Sequence, residues 1–196
     1  TVLLLDAATL TTREVLRGHT APVTTVQFSR DGAMIASGSD DQQVLVWDVA
    51  TGSQQDRLRG HSGSVWGLAF SPDDNSLYSA STDRMLLAWD VGGDGRLIRR
   101  AGLVDDALRY GLTAVPAPDG EAVAYVGPGE PANAPGSTIR FLDVAAGRLG
   151  APIATAEESS GATWRAPDFE QFATAGDDGW LRVWDRHDGE MLAELS

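Results

Sequence analysis

Two sets of side chains in this sequence combine the residue types of nucleophilic catalysis. His19, Ser39 and Asp41 form the first set and His61, Ser81 and Asp83 the second, with 22 residues from histidine to aspartate in each. A histidine between a hydroxyl and a carboxylate is the arrangement that activates a serine in hydrolases: the carboxylate orients the ring and the ring takes the hydroxyl proton. The same trio standing twice in adjacent stretches argues for a structural role, because a catalytic triad is normally needed once. A carboxylate just before a strand can accept from one histidine nitrogen while the other nitrogen reaches a hydroxyl. The indole N–H of Trp47 or Trp89 can then close the chain. A buried network of this kind is costly when half satisfied, so its members should appear or vanish together.

Other chemistry is sparse. Cysteine is absent from the 196 residues, which excludes disulfides and thiolate sites, and the three histidines are too widely separated for metal-ligand spacing. No glycine-rich phosphate loop is present and no carboxylates pair beyond these sets. The expectation is therefore a protein with no cofactor, no metal and no enzymatic activity. Asp+Glu 28 against Lys+Arg 15 gives a formal charge of -13, a field that repels phosphates and anionic lipid surfaces. Neither nucleic acid nor membrane is expected as a partner, although Arg96, Arg99 and Arg100 make a local basic patch. Apolar runs are far too short to span a bilayer and no charged-then-apolar stretch opens the sequence. The expected location is cytoplasmic. All of the basic residues are arginine, which suits a compositionally biased, high-GC bacterial source.

The elements that position these groups recur. Leu5-Asp6, Trp47-Asp48, Trp89-Asp90, Leu142-Asp143 and Trp184-Asp185 place aspartates at intervals of 42, 42, 53 and 42 residues. Each period contains short runs rich in branched and aromatic residues, such as 44–47, 85–89, 138–142 and 180–184, preceded by runs such as 33–37, 76–80, 122–126 and 171–174. Turn-forming Arg30-Asp31-Gly32, Pro72-Asp73-Asp74 and Pro118-Asp119-Gly120 lie just ahead of the first three of the latter. No segment has the length and period of an amphipathic helix. Each period thus reads as four short strands joined by tight turns, one antiparallel blade of an all-β propeller.

The linked residues resemble the WD40-repeat family. Gly18-His19, Phe28-Ser29-Arg30-Asp31-Gly32, Ser37-Gly38-Ser39-Asp40-Asp41 and Trp47-Asp48 recur as Gly60-His61, Phe70-Ser71-Pro72-Asp73, Ser79-Ala80-Ser81-Thr82-Asp83 and Trp89-Asp90. The resemblance implies a WD40-type β-propeller with a hydrogen-bonded structural tetrad in each full blade: His19, Ser39, Asp41 and Trp47, then His61, Ser81, Asp83 and Trp89. It divides the chain into a half blade 1–17 and complete blades of about 18–59, 60–101, 102–154 and 155–196, four and a half blades of an expected seven-bladed ring. Such a ring would need about 305 residues. The missing blades are expected from the rest of a longer chain or from another subunit; a compact five-blade disc is the other possibility.

Two repeats depart from the pattern. The last keeps Asp178 and Trp184, but Gly176 stands at the serine position and Ala156 at the histidine. Its first strand, in simple register, carries Ser160, Thr163 and Arg165 where the second repeat has Val65, Leu68 and Phe70. Either the strand slips by one residue and turns Trp164 inward, or the blade is weakly packed. The third full repeat has Gly136 for the aspartate and Leu142 for the tryptophan. Its 11 extra residues fall before its first strand and between its second and third, on one face of the disc. They are either a recognition loop or tolerated drift.

The same face should carry Trp66, Arg84 and Trp180, with Asp105, Asp106, Arg109 and Glu130 on the enlarged loops. An aromatic anchor ringed by charge is typical of protein interfaces; the alternative for both tryptophans is packing against the next blade. His187 lies in a turn on the opposite face and is expected to be simply exposed. The functional expectation is a non-catalytic WD40 scaffold module whose rim binds a protein or peptide, attached to other domains in a longer signalling or regulatory protein. The alternative is a hydrolase-like or metal-binding propeller using the acidic residues of the enlarged loops.

Overall fold

Alternating short apolar runs give strands throughout. A computed structural model describes residues 1–83, 85–93, 97–102, 113–117, 122–128, 136–143, 148–155, 159–164 and 170–196. Among them lie nineteen strands and no helix, hence no helix long and apolar enough to cross a membrane. The chain divides into two compact units, Thr1–Arg100 and Ala101–Ser196.

The first unit opens with a two-stranded antiparallel sheet, β1 (Val2–Leu5) and β2 (Thr12–Leu16). A four-stranded sheet follows, of β3 (Val23–Phe28), β4 (Met34–Ser39), β5 (Gln43–Asp48) and β6 (Gln54–Arg59), in sequence order. The next repeats that order with β7 (Val65–Phe70), β8 (Ser76–Ser81), β9 (Met85–Asp90) and β10 (Leu97–Gly102). Successive sheets stack face to face. Ala36, Val44, Val46 and Leu58 on one face of the β3–β6 sheet pack with Leu68, Phe70, Leu77, Leu87 and Trp89 of the next. The opposite face, with Ile35, Leu45 and Trp47, packs against Leu4 and Leu16 of the two-stranded sheet.

In the second unit, β11 (Thr113–Pro116), β12 (Ala122–Pro128) and β13 (Ser137–Asp143) form one sheet, completed by two short segments, β14 (Arg148–Leu149) and β15 (Ile153–Ala154), both paired with β13. The last sheet is β16 (Ser159–Trp164), β17 (Gln171–Gly176), β18 (Leu181–Asp185) and β19 (Met191–Leu195). Trp164, Phe172 and Trp184 anchor the core of this unit together with Ile139.

At Asp6, Asp48 and Asp185 the recurring aspartate organises the turn that follows its strand. Asp48 Oδ1 accepts from the Thr51 amide and hydroxyl, both at 2.8 Å, which holds the carboxyl below its usual pKa. Asp6 and Asp185 act alike through the amides of Thr9 and His187. The fifth residue of these three turns has positive φ: Gly52 at 65° and Gly189 at 75°, but Leu10 at 55° in the first. That leucine occupies a backbone conformation suited to glycine.

Candidate functional site

The two polar sets lie where β4 and β5, or β8 and β9, meet the segment leading into the sheet. Gly18 and Gly60 make this approach possible. A Cβ on Gly18 would stand 2.9 Å from Leu45 Cδ1 and 3.0 Å from the Trp47 ring, and one on Gly60 would stand 3.0 Å from the Trp89 ring. With the chain pressed onto the indole, the next residue turns inward. His19 Nδ1 donates to Asp41 Oδ2 at 2.9 Å, and His61 Nδ1 to Asp83 Oδ2 at 2.9 Å. All four side chains are at most 5 % exposed.

The remaining bonds fix the direction of the chain. Trp47 Nε1 donates to Ser37 Oγ at 2.9 Å, and Ser37 Oγ lies 2.9 Å from His19 Nε2. An indole N–H only donates and a carboxylate only accepts, so the hydroxyl proton goes to Nε2 and a neutral imidazole carries its proton on Nδ1. The second set repeats this with Trp89, Ser79 and His61 at 2.8 Å. Asp41 also accepts from the Thr20 amide at 2.9 Å and the Gln43 amide at 3.0 Å. Burial raises its pKa, but the bonds from Thr20, His19 and Gln43 outweigh that and leave the carboxyl below its usual value. The hydroxyl is thus fully engaged inside a locked sheet, unlike a nucleophile facing substrate.

The serines of this network are Ser37 and Ser79, not Ser39 and Ser81. Ile35 pairs with Trp47 across the sheet, so Ser37 is two residues along on the same face and within reach of the indole. Ser39 is on that face too, but four residues from Ile35, at about 13 Å along the strand. Its hydroxyl instead donates to Ala21 O at 3.3 Å and accepts from the Asp41 amide at 3.0 Å. Ser81 likewise accepts from the Asp83 amide at 3.2 Å.

The last sheet keeps half of the pattern. With the serine moved by two positions, its counterpart is Thr174 and not Gly176, and Trp184 Nε1 donates to Thr174 Oγ1 at 3.0 Å. No histidine is available, and Asp178 is taken by Arg182 at 2.6 Å. The first strand slips by one residue: Trp164 pairs with Phe172, as Phe70 does with Leu77, and is 8 % exposed. Its Nε1 donates to Val115 O at 3.0 Å, and its ring meets Phe172 edge-on at 5.0 Å. In the third sheet Tyr125 pairs with Arg140 as Ser37 pairs with Leu45, and it fills the serine position with a ring 1 % exposed.

Of the candidate rim residues, Trp66 and Trp180 are placed and both are open to solvent, at 42 % and 38 %. Trp66 stands at a β-bulge between Val65 and Gly67, which takes its side chain out of the strand alternation. Trp180 follows the turn aspartate, its amide donating to Asp178 at 3.1 Å. Arg84, Asp105, Asp106, Arg109 and Glu130 lie outside the described residues, as do Arg96 and the side chains of Arg99 and Arg100. His187 is exposed and bonds Glu170. Among the described residues, no group of three or more His, Asp or Glu is arranged to hold a metal ion.

The sequence reading did not single out Asp74. Its carboxylate reaches the neighbouring sheet, accepting from the Arg30 amide at 2.8 Å and the Asp31 amide at 3.0 Å. Asp74 stands where Gly32 does one repeat earlier, and both have positive φ, at 57° and 72°. An aspartate where glycine is expected was the available signal.

A family model described as WD domain, G-beta repeat matches residues 10–48, 52–90 and 163–185, together just over half of the chain. The sheet of β11–β15, whose stretch of sequence has no histidine or tryptophan, falls outside the matches. No curated protein matches the chain.

Proposed function

Because this chain belongs to the WD40-repeat family, whose domains serve in general as protein-interaction scaffolds, we propose that it is a non-catalytic module whose rim binds a protein or peptide. In this reading it works within a longer signalling or regulatory protein, as part of a seven-bladed ring, and in the cytoplasm of a bacterium. The observation that carries the reading is Trp66. A tryptophan 42 % exposed, held at a bulge beside fully buried Val65, is a large rigid aromatic on a scaffold that has already locked its neighbours. The polar sets that resemble catalytic triads are consumed in holding the sheets, which supports a binding role over hydrolysis.

The test is affinity capture with the tagged chain and with Trp66→Ala, alongside thermal unfolding of both. The expected result is loss of captured partners with a melting midpoint within about 2 °C of wild type, as for a surface substitution. Retention of every partner by Trp66→Ala, or a steep fall in its midpoint, refutes the reading.

A further inference from the structure

The turn between β3 and β4 has two donors that it does not use itself. It closes with the Gly32 amide donating to Ser29 O at 3.0 Å. The Ala33 amide donates to Asp31 Oδ1 at 2.9 Å and the Met34 amide to Ser29 Oγ at 2.8 Å. The amides of residues 32–34 thus have acceptors inside the turn. Those of Arg30 and Asp31 find theirs in the next sheet, on Asp74 Oδ1 at 2.8 Å and Oδ2 at 3.0 Å. Consecutive backbone amides aimed at one group make a concave seat for an anion. Asp74 reaches this seat from the turn between β7 and β8, at φ 57°, a left-handed conformation that aspartate tolerates better than most residues. That turn is at the far end of β7 from Trp66.

The neighbouring carboxylates are engaged in their own turns. Asp31 Oδ1 accepts from the Ala33 amide and the Ser29 hydroxyl, and Asp73 Oδ1 from the Ser71 hydroxyl and the Asn75 amide. These bonds hold both carboxyls below their usual pKa. Asp74 therefore adds a third carboxylate beside two ionised ones, and its two amide partners offset that repulsion. In the sequence, donor and acceptor then disappear together: Pro72, at the position of Arg30, has no N–H, and Gly120, at the position of Asp74, has no carboxylate. We propose that the Arg30 and Asp31 amides form a carboxylate-binding site, which Asp74 fills to latch the β3–β6 sheet to the β7–β10 sheet. The ligand class is a small carboxylate, because two oxygens on one carbon meet two adjacent donors one to one.

Asp74→Gly empties the site without backbone strain, since Gly32 holds the same position one repeat earlier at φ 72°. It should lower the melting midpoint of the 196-residue chain by about 3 °C. Sodium formate should then restore the midpoint and shift the amide resonances of Arg30 and Asp31 saturably in the isotope-labelled variant. The Gln43 amide, bonded to Asp41, should not move. Wild type, its site filled by Asp74, should show neither response, and sodium chloride at equal ionic strength should not reproduce them. Arg30→Pro, for which Pro72 is the template, removes one donor and leaves Asp74 in place. It should speed hydrogen exchange at the Asp31 amide, and in the Asp74→Gly chain it should weaken formate binding about tenfold, as for one hydrogen bond to a charged group. The two substitutions together should lower the midpoint by less than the sum of each alone. Formate shifts that are absent, equal in wild type or matched by chloride overturn the proposal. So do additive losses in the two variants, or an Asp74→Gly chain that formate does not restore.

Discussion

Replacing Ser37 by alanine tests which hydroxyl closes the buried network. Ser37 is fully buried, and its Oγ stands 2.9 Å from both Trp47 Nε1 and His19 Nε2. Removing it leaves an indole N–H and an imidazole nitrogen without that partner in a buried site. An orphaned buried polar group costs about 1–3 kcal/mol. The Ser37 carbonyl, 3.2 Å from Nε2, is an acceptor like that nitrogen and offers it no substitute, so the two orphaned groups together cost about 2–6 kcal/mol. Ser39→Ala removes only a long bond to Ala21 and one acceptor for the Asp41 amide, and is expected to cost about 1 kcal/mol. In thermal unfolding these losses correspond to midpoints lowered by about 10 °C and about 3 °C for a chain of this size. A double-mutant cycle of Ser37→Ala with Trp47→Phe isolates the shared bond and should return a coupling of about 1 kcal/mol or more. Equal destabilisation by Ser37→Ala and Ser39→Ala, or additivity in the cycle, refutes the assignment.

Acid should weaken the first four-stranded sheet through Asp41. Its pKa in the fold lies below the ordinary 3.8, so the stabilisation is fully present above that value and is lost as pH falls through the lowered one. Asp41→Asn should therefore be less stable than wild type at neutral pH and show a flatter acid limb in urea unfolding between pH 5 and 2, a range of about one to two units either side of the ordinary value. Leu10→Gly should stabilise the chain by about 1 kcal/mol by relieving a side chain held at φ 55°, measured by the same unfolding curves; a loss of stability would show that the exposed leucine contributes more by contact than it costs by conformation.

Much of the fold was legible from the linear chain. The 42-residue interval, the strand runs and the turn aspartates follow from local chemistry: alternation selects strand, and Asp with glycine four residues on selects the turn. The pairing of His19 with Asp41 and of His61 with Asp83 was legible for the same reason, since equal spacing in two repeats gives equal geometry. Three features were decided only by packing. Ser37 and Ser39 project from the same face of one strand, so alternation cannot choose between them; the reach of the Trp47 indole does. The slip in β16 depends on the free-energy gain from burying Trp164 against Phe172 on the next strand and Phe141 of the preceding sheet. The exposure of Trp66 is likewise set by the bulge between Val65 and Gly67, which the pairing of β7 with β8 creates. Period and residue type are properties of a segment, whereas reach, register and coverage are properties of the surfaces that segments make together.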